Sequence, residues 1–107
     1  MLTAKCQNKM DITVEELKER LDKGEDLNFL DVREDYEYDE QNLGATLIPL
    51  GELPDRIDEI EAWKNSEVIV HCRSGARSGR AKAFMEGQGF TNVRNVTGGI
   101  LAYNQLY

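Results

Sequence analysis

The chain has 107 residues but only one histidine, two cysteines, two prolines and one tryptophan. Each scarcity excludes something. The two cysteines, Cys6 and Cys72, are too few for a disulfide-built scaffold and do not make a four-ligand zinc site. Bases are short as well: 13 against 20 acids gives a net charge of −7, and repulsion then opposes nucleic acid or an anionic membrane as the main partner. No apolar run approaches the roughly 20 residues of a membrane span. Residues 1–10 hold no apolar stretch of the signal-peptide kind. A reducing cytoplasm is the expected compartment. Repeats, low-complexity tracts and Pro/Gly linkers are absent too, so the length reads as one domain over residues 1–107, with 1–10 a loose N-terminal segment.

What is present alternates between helix and strand patterns. Thr13 and Glu16 stand at capping-box spacing, Ile12 and Leu17 at staple spacing, and Val14, Leu17 and Leu21 on one stripe. These predict a helix over residues 14–23 that stops at Gly24. Residues 27–32 read as a buried strand ending at Asp31, with Arg33 just beyond. An acidic short helix follows over 34–41, then a strand over 46–48 and a helix over 52–63. The β-branched run 67–71 is a second buried strand. A loop spans 72–78, a helix 77–88 stops at Gly89 with Phe90 folding back, and a last strand covers 93–96. A short helix follows Gly98-Gly99. Strands separated by helices predict an α/β fold with a mainly parallel central sheet of about five strands and helices on both faces. Ligands of such sheets sit at the carboxyl ends of the strands, which places Asp31 and Cys72 on one edge.

The chemistry concentrates at Cys72. This cysteine follows a buried strand and precedes a helix, across a short loop that contains Gly75. Such a loop can turn successive backbone N–H groups toward one point, and the helix adds its positive end. Both favour thiolate over thiol. Between Glu67 and Glu86 there is no acid, whereas Arg73, Arg77, Arg80 and Lys82 are all there. Asp31 to Glu61, by contrast, holds eleven acids and two bases. A nucleophilic sulfur attacking an anion fits this basic island, with arginines on the anion's oxygens. The plainer reading, a small buried hydrophobe, leaves the glycine and the arginines unexplained.

In four blocks the chain resembles the single-domain rhodaneses, sulfurtransferases that carry sulfur as a cysteine persulfide. Leu30-Asp31-Val32-Arg33-Glu34 is similar to the first block. Leu43-Gly44-Ala45 with Ile48-Pro49-Leu50 is similar to the second. Cys72-Arg73-Ser74-Gly75-Ala76-Arg77-Ser78 is similar to the active-site loop, and Gly98-Gly99-Ile100 with Ala102 to the closing block. Asn42 stands where members often carry histidine, and Tyr103 where they often carry tryptophan. The resemblance implies that Cys72 is the catalytic nucleophile. It takes sulfur from a donor such as thiosulfate and yields it to cyanide, a thiol or a sulfur-accepting protein. The backbone from Arg73 through Ser74, Gly75 and Ala76 to Arg77 would cradle the outer sulfur, with Arg73 or Arg77 on the donor's sulfonate. No metal or organic cofactor is implied. Asp31 and Arg33 are expected as structural residues near the site.

Two rivals stand beside this reading. Phosphatases and arsenate reductases also use a cysteine in a loop before a helix, but with one residue more between cysteine and arginine; here Arg77 follows Cys72 after four. The other rival is a relay or partner-binding module without free turnover. His71 is expected to be structural, because neighbouring strand residues point to opposite faces. Cys6 reads as a spare thiol near a loose terminus, and Tyr36, Tyr38, Tyr103 and Tyr107 as packing residues, with Tyr103 the one that could also line the pocket.

Overall fold

The computed structural model describes residues 10–106; residues 1–9, with Cys6 and most of the expected loose segment, and Tyr107 lie outside the described residues. Four strands form one parallel sheet: β1 (Phe29–Asp31), β2 (Thr46–Leu47), β3 (Glu67–His71) and β4 (Asn92–Asn95), in the order β2-β1-β3-β4. Against the expected count of about five, the described residues hold four strands. The place of a fifth strand is taken by a single parallel bridge, Ile12 to Val96. Pairing does not run on past Ile12, because Thr13 already caps the first helix with its hydroxyl, which accepts from Glu16 N–H at 3.1 Å. That cap is half of the expected box. The Glu16 carboxylate turns instead to Arg94, which offers a guanidinium at 3.2 Å.

Alternation along the strands decides which side chains meet. Leu30, Val32, Val68, Val70 and Cys72 point to one face, under α3 (Leu53–Arg56), the turn of 3-10 helix Ile57–Trp63, and α4 (Ala76–Gly87). Phe29 and Ile69 point to the other, under α1 (Val14–Asp22) and α5 (Gly99–Asn104). A fully buried Leu, Ile or Val contributes roughly 1.5–3 kcal/mol, so the two apolar layers hold the sheet between them.

The helix predicted over 52–63 is broken into 3-10 helix at Leu50–Glu52, the short α3, and 3-10 helix to Trp63, with a kink at Ile60 (φ −118°, ψ 21°). Its apolar residues explain this. Ile57, Ile60 and Trp63 repeat every three residues and so line one side of a 3-10 helix. Asp55, Asp58, Glu59 and Glu61 set like charges at spacings of three and four, which weakens an α-helix. The fourth helix begins at Ala76, one residue earlier than expected, and ends as predicted at Gly89 (φ +98°). Phe90 N–H reaches Met85 O at 3.0 Å and Gly89 N–H reaches Glu86 O at 3.1 Å, the paired bonds of a Schellman stop. Among the described residues, no helix is long and apolar enough to cross a membrane.

Candidate active site

Cys72 leaves the carboxyl end of β3 with its side chain on the α4 side of the sheet. Gly75, at φ +105°, lets the following chain double back beneath the first turn of α4. Three donors then converge on Cys72 Sγ: Gly75 N–H at 3.2 Å, Ser78 N–H at 3.3 Å and the Ser78 hydroxyl at 3.3 Å. Burial pushes the Cys72 thiol up, but the Ser78 hydroxyl and the N–H groups of Ser78, Gly75 and Ser74 outweigh it, and the net direction is down. The residue is 1% exposed, so a reacting atom must approach along a narrow line.

Ser78 was missed as a site residue by sequence reasoning. Its position one turn into α4, facing back over the loop, is the signal that would have found it. Its hydroxyl also lies 2.6 Å from Asn95 Oδ1, while Asn95 Nδ2 donates to Gly75 O at 3.1 Å. Asn95, at the end of β4, thereby ties the loop to the helix.

The other loop residues separate. Ser74 is exposed and contributes its backbone to the sulfur. Ala76 is exposed at the first position of α4. Arg73 is exposed, and among the described residues its side chain makes no hydrogen bond or ion pair. Arg77 is engaged: its Nη1 and Nη2 donate to Oε1 and Oε2 of Glu37 at 2.8 and 2.9 Å. Glu37 belongs to α2 (Asp35–Glu40). The Arg77 guanidinium pulls the Glu37 carboxyl down to about 2, against burial, with Glu34 N–H assisting.

Asp31, Arg33 and His71 lie on the far side of the sheet from the thiol. The Arg33 fork meets Asp31 at 2.8 to 3.1 Å and also donates to Glu37 O and Gln41 O, at 3.3 and 2.7 Å. It thereby fastens α2 to the end of β1. His71 is fully buried, with Nδ1 3.3 Å from Cys72 O and Nε2 3.4 Å from Asp31 Oδ2 without hydrogen-bond alignment. Burial pushes its pKa down, with Asp31 opposing. It acts on the cysteine's backbone and not on its sulfur. Tyr103 packs with the apolar layer around Ile12 and Leu17.

The closing block also touches the loop. Ile100 N–H donates to Cys72 O at 3.0 Å and Leu101 N–H to Arg73 O at 3.1 Å. A Cβ on Gly99 would come within 2.4 Å of Arg73 O and 2.6 Å of Cys72 O. Only glycine lets the first turn of α5 press this closely on the loop. At Asn42, Oδ1 accepts from Gly44 N–H at 2.9 Å and Nδ2 donates to Tyr38 O at 3.2 Å, a local turn role.

Known proteins resemble this chain in sequence and fold. The family model "Rhodanese-like domain" matches residues 13–106. YrkF of Bacillus subtilis, named as a candidate sulfur carrier protein, is 42% identical over 91 residues, which cover 84% of this chain and 48% of YrkF. The chain thus spans about half the length of that relative. A sulfurtransferase of Allochromatium vinosum is 37% identical over 94 residues, covering 87% of this chain and 86% of its own. The crystal structure of a rhodanese-like domain protein from Staphylococcus aureus superposes with a TM-score of 0.78 at 31% identity, covering 89% of this chain and 90% of that one.

Proposed function

Because the chain belongs to the rhodanese-like family, we propose that it transfers sulfane sulfur through a persulfide on Cys72. The observation that carries this reading is the convergence of Gly75 N–H, Ser78 N–H and the Ser78 hydroxyl on one sulfur atom. The Cys72 thiolate attacks the outer sulfur of a donor such as thiosulfate. The S–S bond of the donor breaks, sulfite leaves with the bonding pair, and Cys72 becomes the persulfide anion. An acceptor nucleophile, cyanide or a thiol, then takes the outer sulfur and returns the thiolate. The scheme is ping-pong with a covalent intermediate. Before the donor is attacked, the anionic Cys72 Sγ is stabilised by donors already aimed at it. Arg73, exposed and next to Cys72 in the chain, supplies the cation for an anionic group arriving from solvent. The reaction takes place in the cytoplasm. Four residues between Cys72 and Arg77, with Arg77 paired to Glu37, favour this reading over phosphate hydrolysis.

Incubation with thiosulfate followed by intact-mass measurement tests it. Wild type and Cys6→Ser should each gain one sulfur atom, and Cys72→Ser none. A gain by Cys72→Ser would sink the reading. A relay role, with sulfur passed to a protein partner, is favoured by the kinship with YrkF. Slow thiosulfate:cyanide turnover together with fast persulfide exchange to an acceptor protein would select the relay.

A further inference from the structure

The rim of the cradle carries an ion pair that sulfur transfer leaves without a task. Arg77 sits on the first turn of α4, beside the thiol, where a donor's anionic end would need a cation. Both of its terminal nitrogens are instead taken by Glu37, at 2.8 and 2.9 Å. Glu37 is not a loose surface acid: its side chain is 13% exposed. Glu34 N–H donates to its Oε1 at 2.9 Å, and the buried Arg33 holds its backbone carbonyl at 3.3 Å. Glu34, Asp35, Asp39 and Glu40 add exposed negative charge on the same short helix or its cap.

We propose that Glu37 is a donor-specificity residue, which neutralises Arg77 and thereby sets the cradle against dianionic donors and in favour of sulfane donors carrying less charge. The inference rests on the Cys72 persulfide reading. A dianion such as thiosulfate must either lie beside the Glu37 carboxylate or displace it from two charge-assisted hydrogen bonds, and both are costly. An organic thiosulfonate monoanion meets half of that repulsion in the same chemistry. In each case the Cys72 thiolate forms a bond to the outer sulfur as that sulfur's bond to the oxidised sulfur breaks. Sulfite leaves from thiosulfate and a sulfinate leaves from the thiosulfonate, each with the bonding pair, and the total charge is conserved.

The test compares kcat/KM for thiosulfate and for an alkyl thiosulfonate in three proteins. Glu37→Gln keeps an oxygen for Glu34 N–H and removes the charge; its preference should move toward thiosulfate by about fivefold or more, chiefly in the KM for thiosulfate. Arg77→Ala leaves Glu37 uncompensated and should move the preference the other way by a similar factor. A role of the pair in folding alone would slow both donors equally and leave the ratio unmoved. A ratio within twofold of wild type in Glu37→Gln, or in Arg77→Ala should Glu37→Gln not fold, overturns the proposal. If neither donor adds sulfur to wild-type Cys72, the persulfide reading itself has failed. Loading with an unchanged ratio removes only the role of Glu37.

Discussion

The Ser78 hydroxyl has one proton and two acceptors within reach, Asn95 Oδ1 at 2.6 Å and Cys72 Sγ at 3.3 Å. Ionised sulfur draws that proton more strongly than neutral sulfur does, so the hydroxyl helps only the thiolate. Ser78→Ala removes this donor and keeps the Ser78 and Gly75 N–H groups. Its thiolate absorbance should titrate at higher pH than wild type, and sulfur loading from thiosulfate at neutral pH should slow by about tenfold, the worth of one hydrogen bond to a charged group. An unchanged titration would show that the backbone alone stabilises the sulfur. The cysteine and its loop were legible as a motif because Gly75, the arginines and the flanking strand and helix are neighbours in sequence. Ser78's dependence on Asn95 was not, because 17 residues separate them.

Among the elements, α5 and α2 hold the loop from opposite sides. The first turn of α5 takes the carbonyls of Cys72 and Arg73, while α2 supplies Glu37 and is itself tied down by Arg33. Gly99→Ala would force a Cβ against those carbonyls at a position whose φ is +62°. It should cost about 2 kcal/mol or more and lower Tm by roughly 10 °C. Gly51→Ala meets nothing within 4 Å and should melt close to wild type. Equal melting of the two variants would mean that α5 does not press on the loop. The helix starts and stops at Thr13 and Gly89 were legible because caps are local. The 3-10 geometry from Ile57 to Trp63 was misread as a continuous α-helix, since spacings of three and four overlap in so short a stretch. The count of about five went beyond the four strand segments the sequence itself marks, and the described residues hold those four.

At the scale of the whole molecule, two of the ion-pair groups among the described residues stand at opposite ends of the sheet. Glu67, at the start of β3, joins Arg20 of α1 and Arg94 of β4 at 2.7 and 2.8 Å. Glu37 joins Arg77 at the other end. Arg20 chiefly, against burial and with help from Arg94, pulls Glu67 below the ordinary carboxylate value, as Arg77 does Glu37. Groups depressed in the folded state give stability that is complete above their unfolded value, near 4.5 here, and that drains as pH falls through the folded value, about 2 for Glu37. His71, depressed by burial, adds an earlier loss that begins as pH falls through 6.5. Tm should therefore sag below about pH 6.5 and fall more steeply below about 4.5, while the depressed Cys72 thiol adds stability as pH rises from neutrality toward its unfolded value of 9.0. Scanning calorimetry across pH checks this, and a Tm independent of pH between 7 and 3 would contradict it.

Residues close along the chain were enough to announce an alternating α/β fold, a parallel sheet and a loop that folds back on Cys72, because caps, turns and strand alternation act over a few residues. The same alternation placed His71 and Cys72 on opposite faces. Folding alone decided which charges meet. Glu37 and Arg77 are 40 residues apart, and neither position's spacing reveals the other. From sequence the arginines formed a basic island around Cys72; in the fold, Arg73 and Arg80 stay exposed and Arg77 is neutralised by an acid from α2. An ion pair depends on where the backbone puts two side chains, and that is fixed only when the sheet orders its strands and the helices settle against it.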